Sequence, residues 1–381
     1  MGPKHRRELG EDTYTWLESL MKVDAGPRPV LVINLGPETF REIRVFGALR
    51  TIGISIFETD RIPAHWVSLC NGLDEIWVPG QFNIDTYSAA GVAKDKLWAI
   101  PYAMNTELFN PSKLVKSKAP GEPFTFLYIF AFGWRKGFDL MLAAFLNEFK
   151  KGEAKLILRA FTEGYQGVTR ENLKDVLFGS VKDQVDFNRT DLPEVEIIDV
   201  SLSPEELLKL YGRADLYIST DRANGWGVPC MEAMALGLPT ATINWSGSTG
   251  FMTAENSVLI EPTGKLVPVD ERLAKALPEL YEGHQWAEVT VEAVREKMRW
   301  ATQHPEELAK LAKQAADDIQ NKFNPDALAD RIIEHINSYE PDTATKLLAP
   351  LGVTRHVFMR RPVTFVRSAA RRVFKLAHVS K

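Results

Sequence analysis

Short runs of β-branched and aromatic residues alternate with helical segments along most of the chain, and this alternation constrains the fold more than any other feature. Each run is short and bounded by Gly or Pro, which is typical of buried strands. Strands alternating with helices form βαβ units around a parallel sheet. The sequence therefore predicts an α/β fold, and the strands of its first third are predicted at 29–36, 50–57, 74–80 and 96–103.

A second series of the same kind begins after the segment 110–124, which is rich in Pro, Lys and Ser and has no periodicity. Ser203 and Glu206 have the spacing of a capping box around Pro204, which predicts the start of one helix in this series. From about residue 270 to 339 the pattern is helical. The strands of the second series are predicted at 124–132, 155–161, 195–200, 215–220, 240–245 and 257–262.

This organisation predicts an abbreviated first domain over 1–115, a second domain over 116–340 and a separate tail over 341–381. Two consecutive α/β domains leave a cleft between them. Ligands of open parallel sheets bind at the carboxyl ends of the strands. The loops that follow the strands of the second series are therefore the candidate site.

The loop after the first strand of this series reads GWRKG and places two adjacent cations between glycines. Arg135 offers a planar fork and Lys136 a point charge, and together they suit a diphosphate. Gly133 precedes them where the strand ends. A solvated basic turn is the alternative interpretation of the same residues.

The loop after 215–220 reads ANGWGVPCME and leads into a helix. Gly225 and Gly227 permit positive φ or a close backbone approach. Pro229 suits the first turn of that helix, whose free N–H groups attract phosphate. Glu232 has two open interpretations: it caps the loop, or it accepts hydrogen bonds from the vicinal hydroxyls of a ribose.

The sequence contains no recognisable metal site. Asp-x-Asp occurs nowhere in the chain, and the seven His residues are scattered. The two cysteines, Cys70 and Cys230, lie far apart in apolar segments, which indicates buried, reduced thiols. A further loop of small residues at 245–251 could add hydroxyl and backbone donors around the same ligand.

In their order along the chain, FAFGWRKGFDLMLAAF and SPEELLKLYGRADLYISTDRANGWGVPCMEAMALGLPTATINWSGSTGFM resemble the nucleotide-sugar domain of family 4 glycosyltransferases. IFETDRIPAHW and IPYAMNTELFNP resemble the first domain of the same group, so the resemblance covers about residues 30–340. It implies the GT-B fold, in which two Rossmann-like domains face a cleft. It also implies a retaining transfer of a sugar from a UDP- or GDP-sugar to a glycan or lipid-linked acceptor, with neither metal nor cofactor.

The resemblance implies roles for individual residues as well. Arg135 and Lys136 would hold the donor diphosphate and stabilise the charge that grows on the leaving nucleotide. Glu232, the second Glu of the family's Glu-x7-Glu motif, would bind the ribose hydroxyls. Asn224, at the position of the first Glu, would contact the sugar or the acceptor. The remaining donor-binding positions are Gly133, Gly225, Trp226, Gly227, Val228 and Pro229.

Four positions depart from the family's pattern. Asn224 replaces the first Glu and carries no negative charge, Gly250 replaces an acidic residue, Asn105 an Asp and Gly80 a Ser. The first domain also lacks the initial strand and glycine-rich loop of the family. These departures support a second hypothesis, in which the chain is a catalytically weak sugar-nucleotide-binding partner subunit.

Charge is unevenly distributed, because residues 355–381 contain eight Lys or Arg and no acidic residue, while the whole chain carries −4. Apolar residues recur there at near-helical spacing, and a basic amphipathic helix can lie on an anionic membrane surface. A helix packed across the two domains, or a solvated end, is the alternative.

The remaining composition limits where the chain acts and what it binds. The acidic body lacks the aromatic–basic interleaving of nucleic-acid binders. Neither a signal peptide nor a run of roughly 18–20 apolar residues is found in the sequence. We therefore predict a cytoplasmic protein that can lie peripherally on the inner face of the membrane.

Overall fold

The computed structural model describes residues 29–41, 43, 48–119, 121–162 and 167–339, together with the isolated positions Thr15 and Ser19. The predictions made for the tail over 341–381 lie outside this part of the chain. Among the described helices, none is both long and apolar enough to cross a membrane.

The first third of the chain forms a parallel sheet of four strands in the order β1-β2-β3-β4. The register places Ile52 opposite Glu75 and Ile76 opposite Leu97. Ile52 and Ile76 are fully buried, as the apolar runs predict. The elements are β1 (Val30–Ile33), β2 (Arg50–Ile54), α1 (Ala64–Asn71), β3 (Glu75–Val78), α2 (Gln81–Ala90) and β4 (Leu97–Ala99).

The second series forms a parallel sheet of six strands in the order β10-β9-β8-β5-β6-β7. Each strand overlaps a predicted one, which confirms the α/β interpretation. The chain adds β6 and β7 on one side of β5 and then crosses to the other side for β8. The strands are β5 (Phe124–Ala131), β6 (Ala154–Phe161), β7 (Glu194–Ile198), β8 (Leu216–Ser219), β9 (Thr240–Ile243) and β10 (Val258–Ile260).

Helices cover this sheet and bury its long apolar strands. Ser203 accepts a hydrogen bond from the Glu206 backbone and Glu206 caps the Ser203 N–H in return, so the predicted capping box is confirmed. The helices are α3 (Phe138–Glu148), α4 (Leu173–Gly179), α5 (Pro204–Gly212) and α6 (Val228–Ala235), followed by α9 (Val291–Gln303), α10 (Pro305–Lys322) and α11 (Pro325–Asn337).

The segment between β10 and α9 is not continuously helical: the helical pattern predicted from about residue 270 is confirmed for two short helices within 271–281 and is wrong for residues 282–290. Two three-residue strands pair antiparallel here, and two short helices lie between them. Leu273 and Trp286 are buried in the core of the first sheet. We call this segment, residues 264–288, the hairpin segment; it contains β11 (Leu266–Pro268), α7 (Glu271–Ala276), α8 (Pro278–Tyr281) and β12 (Gln285–Ala287).

The last described helix returns from the second sheet to the first. The His335 imidazole contacts the buried Glu75 carboxylate at 2.7 Å, and Tyr339 donates to the same carboxylate at 2.9 Å. At the end of α10, the Phe323 carbonyl accepts from the Met104 N–H at 2.7 Å. The chain therefore passes between the two sheets near residues 104–124 and near Phe323, in addition to the links at the two ends of the hairpin segment.

Candidate functional site

Three loops meet at the carboxyl ends of neighbouring strands in the second sheet. They are residues 132–137 after β5, 220–227 after β8 and 244–250 after β9. The direction of chain progression reverses between β5 and β8, because β6 and β7 lie on the other side of β5. Open α/β sheets bind ligands in the crevice at this type of switch point.

The predicted GWRKG loop is a tight turn that glycine makes possible. Trp134–Lys136 forms one 3-10 turn, and Gly137 follows with a φ of 58°. A Cβ on Gly137 would lie 2.1 Å from the Thr220 carbonyl oxygen, so only glycine fits. The turn is thereby held against the loop after β8. Around Gly133, by contrast, no heavy atom would contact an added Cβ within 4 Å, so its own surroundings are open.

Arg135 extends from this turn into the space between the two sheets. Its Nη1 donates to the Ala223 carbonyl at 2.6 Å, and its Nε lies 3.0 Å from the Glu58 carboxylate. Burial alone would lower the pKa of Arg135, but Glu58 and Tyr281 reverse this and leave the pKa raised. The guanidinium is therefore a fixed positive charge at the cleft.

Lys136 forms an ion pair with a buried carboxylate. Its Nζ lies 2.7 Å from Asp221, which also accepts a hydrogen bond from the Tyr128 hydroxyl. Burial lowers the pKa of Lys136, and Asp221 opposes that shift by stabilising the ammonium. The two predicted cations thus lie together at the cleft, and the solvated-turn interpretation does not describe them because both are paired and largely buried.

Asn224 is tied into the site through its backbone, whereas its side-chain oxygen has no partner. Its N–H donates to Ser246 Oγ at 2.9 Å, and its carbonyl accepts from the Gly247 N–H at 2.9 Å. Asn224 is 3% exposed, and its Oδ1 makes no hydrogen bond. Ser248 Oγ is buried in the same unsatisfied state.

Both unsatisfied groups lie beside Gly227, where α6 begins. Gly227 has a φ of 90°, and a Cβ there would lie 3.5 Å from Asn224 Oδ1 and 3.4 Å from Ser248 Cβ. Val228 and Pro229 form the first turn of the helix. Free N–H groups and the positive end of the helix dipole therefore lie next to two polar atoms that lack hydrogen bonds.

Gly225 allows the first sheet to approach the loops after β8 and β9. A Cβ on Gly225 would lie 2.3 Å from the Ile56 side chain, which follows β2. A Cβ on Gly247 would in turn lie 1.9 Å from the Gly225 carbonyl oxygen. The loops after β8 and β9 therefore pack backbone to backbone, and the Ile56 side chain of the loop after β2 packs against Gly225; larger residues would prevent both contacts.

Trp226 directs its side chain into the core, so only its backbone can face a ligand. The indole is buried and packs against Tyr102, Phe251 and Phe323. A Cβ on Gly250 would lie 2.6 Å from this ring and one on Gly80 would lie 3.4 Å from it. Two of the four departures from the family's pattern are therefore packing partners of one indole.

Glu232 lies in α6, and its carboxylate accepts a hydrogen bond from the Tyr211 hydroxyl at 2.7 Å. The residue is buried, and Tyr211 belongs to α5. Asn105, another departure, accepts from the Leu108 N–H at 3.2 Å and so stabilises a turn.

The sequence interpretation missed three side chains around these loops. Glu58 and Asp221 are the carboxylates that pair with the two cations; each lies in a loop that follows a strand, but nothing in the sequence indicates which cation it meets. Arg159 is a buried cation at the end of β6. Its signal in the sequence was a single charge inside the apolar run LILRAF.

Within the described residues, no group of three or more His, Cys, Asp or Glu side chains could hold a metal ion. The positive charge at the cleft comes instead from Arg135, Lys136 and the start of α6. This arrangement is suited to bind an anion.

A comparison with known protein families matches the middle of the chain. Residues 110–299 match the family model described as Glycosyl transferases group 1. No curated protein matches the chain by sequence.

Solved structures resemble the chain over both sheets. HepE of Anabaena, in complex with UDP and glucose, has a TM-score of 0.60 at 14% identity over 88% of this chain and 83% of that chain. Sucrose-phosphate synthase of Thermosynechococcus elongatus has a TM-score of 0.60 at 15% identity, over 88% and 79%. A trehalose-6-phosphate structure from E. coli, bound with UDP-2-fluoro glucose, has a TM-score of 0.61 at 11% identity, over 87% and 77%. The likeness confirms the predicted GT-B architecture.

Proposed function

This chain is a GT-B glycosyltransferase that carries a group 1 domain over residues 110–299, and we propose that it transfers a sugar with retention and without a metal ion. The donor is a UDP- or GDP-sugar, and the acceptor is a glycan or a lipid-linked glycan. The site of action is the cytoplasm or the inner face of the membrane.

The observation that carries the proposal is the group of unsatisfied polar atoms at the start of α6. Buried polar groups are nearly always hydrogen-bonded, so an orphaned oxygen calls for an explanation. Asn224 Oδ1 and Ser248 Oγ have no partner, and the helix N-terminus beside them favours phosphate. A sugar diphosphate would satisfy them, since its hydroxyls can donate to Asn224 and its phosphate oxygens can accept from Ser248 and the helix.

The two cations supply the electrostatic part of catalysis. As the bond from the sugar to the diphosphate breaks, negative charge grows on the leaving nucleotide. Arg135 and Lys136 are already oriented and partly desolvated, so they stabilise that charge with little reorganisation. Because these cations and the start of α6 neutralise the diphosphate, no divalent metal is needed.

The remaining residues hold the donor in place. Glu232 accepts hydrogen bonds from the ribose hydroxyls, sharing its carboxylate with Tyr211. The backbones of Gly133, Gly225, Trp226 and Gly227 line the sugar and diphosphate, and Val228 and Pro229 orient the first turn of α6.

Calorimetry of the full chain with UDP and GDP in EDTA tests the binding step. We expect one of the two nucleotides to bind, and Lys136→Met to weaken that binding. Lys310→Met is the matched control, because Lys310 is an exposed residue of α10. Absence of binding to either nucleotide by the unmodified chain would overturn the proposal.

A partner subunit that binds a sugar nucleotide without turning it over is the second candidate function. It is favoured by Asn224, which lacks the charge of the family's Glu, and by Glu58, which occupies Arg135 at 3.0 Å. Assays of donor hydrolysis separate the two candidates. Tight nucleotide binding without release of free sugar supports the partner function, and release of sugar excludes it.

A further inference from the structure

Arg159 is a buried cation that the roles above leave unused. It is 5% exposed at the carboxyl end of β6, opposite Ile198 of β7. Its guanidinium carbon lies 3.8 Å from the centre of the Phe161 ring, so the guanidinium is held over that ring. A buried charge is costly unless it is well paired. The question is therefore what this guanidinium binds.

One edge of the guanidinium is largely unsatisfied. Nε has no hydrogen-bond partner, and Nη2 has only a 3.4 Å contact with the Val200 carbonyl. Nε–H and one Nη2–H point the same way and form the fork with which Arg binds two adjacent acceptors. The free edge is thus shaped for a pair of acceptor atoms.

Strand order places Arg159 on β6, next to β5 and on the side away from β8, and Glu232 acts on it electrostatically. Burial lowers the pKa of Arg159, and the nearby Tyr211, Glu232 and Asp199 partly offset that shift. In the proposed function Glu232 binds the ribose. A nucleotide whose diphosphate lies over β5 and β8 and whose ribose lies on Glu232 would direct its base towards Arg159 on β6.

The same neighbours restrict the chemistry of the occupant. Two carboxylates, Glu232 and Asp199, act electrostatically on Arg159 and disfavour a second phosphate or another anion there. A neutral pair of acceptors fits better. Guanine presents such a pair in O6 and N7, adenine presents an acceptor beside a donor, and the two carbonyls of uracil are separated by its N3–H.

We propose that Arg159 recognises the base of the donor nucleotide through guanine O6 and N7, so that the donor is a GDP-sugar. This inference rests on the proposed function, because it assumes that a nucleotide occupies the loops after β5 and β8. It selects one of the two nucleotides that the sequence left open.

Calorimetry of the full chain with GDP, UDP, CDP and 7-deaza-GDP tests the inference. A bidentate Arg–guanine contact discriminates by roughly tenfold or more, so GDP is expected to bind at least that much more tightly than UDP. 7-Deaza-GDP lacks the N7 acceptor and is expected to lose most of this advantage. Equal affinities for GDP and 7-deaza-GDP, or tighter binding of UDP or CDP, would overturn the assignment of guanine.

A conservative variant distinguishes base recognition from a structural role. Arg159→Lys keeps the charge but removes the fork, so the GDP-to-UDP preference is expected to fall towards unity while UDP affinity stays within about threefold. Arg295→Lys, which alters an ion pair with Glu148, is the matched control. An equal loss for both nucleotides would show that Arg159 only supports the fold.

The outcomes separate this inference from the function on which it rests. Binding of no nucleotide removes the proposed function itself. Binding of UDP in preference to GDP leaves the proposed function standing and removes only the role of Arg159. Should Arg159→Lys fail to fold by thermal melting, the 7-deaza-GDP comparison on the unmodified chain still decides.

Discussion

Glu58 is paired with Arg135, the cation proposed to hold the donor diphosphate, and replacing Glu58 should strengthen nucleotide binding. Its carboxylate lies 3.0 Å from Arg135 Nε and accepts from the Tyr281 hydroxyl at 2.5 Å. The Arg135 and Glu58 side chains are only 26% and 14% exposed, so water screens the pair incompletely. A diphosphate that reaches Arg135 must compete with this carboxylate. The perturbation is Glu58→Gln, which keeps the shape and removes the charge.

The size of the effect follows from the type of contact that is weakened. A hydrogen bond to a charged group contributes about 1.5–3 kcal/mol, and a neutral one about 0.5–1.5 kcal/mol. The amide oxygen introduced by Glu58→Gln would still accept from Arg135, so the hold on the guanidinium falls by roughly 1 kcal/mol. If binding of the diphosphate to Arg135 becomes more favourable by the same amount, the nucleotide should bind about fivefold more tightly.

The assay is calorimetry of GDP and UDP with the unmodified chain and with Glu58→Gln, at low and at high salt. Because an ion pair at a partly open cleft is screened by salt, the gain should shrink at high ionic strength. Asp60→Asn is the matched control, since Asp60 anchors the same loop through the Gln285 N–H at 2.7 Å and forms its ion pair with Arg61 instead. Unchanged or weaker nucleotide binding in Glu58→Gln would refute the competition and indicate that Glu58 helps to hold the ligand.

Three further predictions follow from the packing, the thiols and the tail. Gly250→Glu, which restores the acidic residue of the family, should lower the free energy of unfolding by about 1–3 kcal/mol because its Cβ would overlap the Trp226 ring. Thermal melting measures this loss. Gly179→Ala is the control, because nothing lies within 4 Å of a Cβ at that position. Burial raises the pKa of the Cys70 thiol to about 12 and raises that of Cys230. Thiolates form only above these pKa values, so iodoacetamide should label neither cysteine of the folded chain near pH ~8.5 and both after unfolding, and rapid labelling of the native chain would contradict the burial. The full chain should sediment with anionic vesicles more than a chain ending at Ala349, and equal binding would remove the membrane role of the tail.

The strands, the longer helices and the three loops of the site could be predicted because their signals are local. The capping box needs only Ser203 and Glu206, three residues apart, to satisfy the N–H groups of a helix start. The positive φ at positions 137 and 227 needs only a glycine there. Such requirements are visible in one sequence. The predicted loops accordingly meet at one edge of the sheet.

The hairpin segment could not be predicted in this way, because its partners are distant in sequence. Its strands are only three residues long, too short for a period-2 pattern to appear. What stabilises it is contact with the first sheet, such as the hydrogen bond between Thr59 and His284 at 2.8 Å. Apolar positions such as Trp286 were therefore compatible with a helix until the packing was known.

The partners of the site cations were hidden for a related reason. Glu58 lies 77 positions before Arg135, and nothing near either residue indicates that a loop of the first sheet reaches the second. Arg159 was hidden differently, because one charge in an apolar strand can belong to an edge strand or to a site. Only the electrostatic effect of Glu232 on Arg159 relates that charge to the site.

The connections between the sheets near residues 104–124 and near Phe323 have a mechanical consequence. They run side by side, since Met104 bonds to Phe323 at 2.7 Å and Phe109 to Gln320 at 2.9 Å. Two adjacent connections resist sliding of one sheet over the other, and the hairpin segment, which packs in the core of the first sheet, would move with that sheet in any rotation about them. Opening of the cleft would then be a swing that parts Glu58 from Arg135, and admission of the donor and release of that ion pair would be one movement.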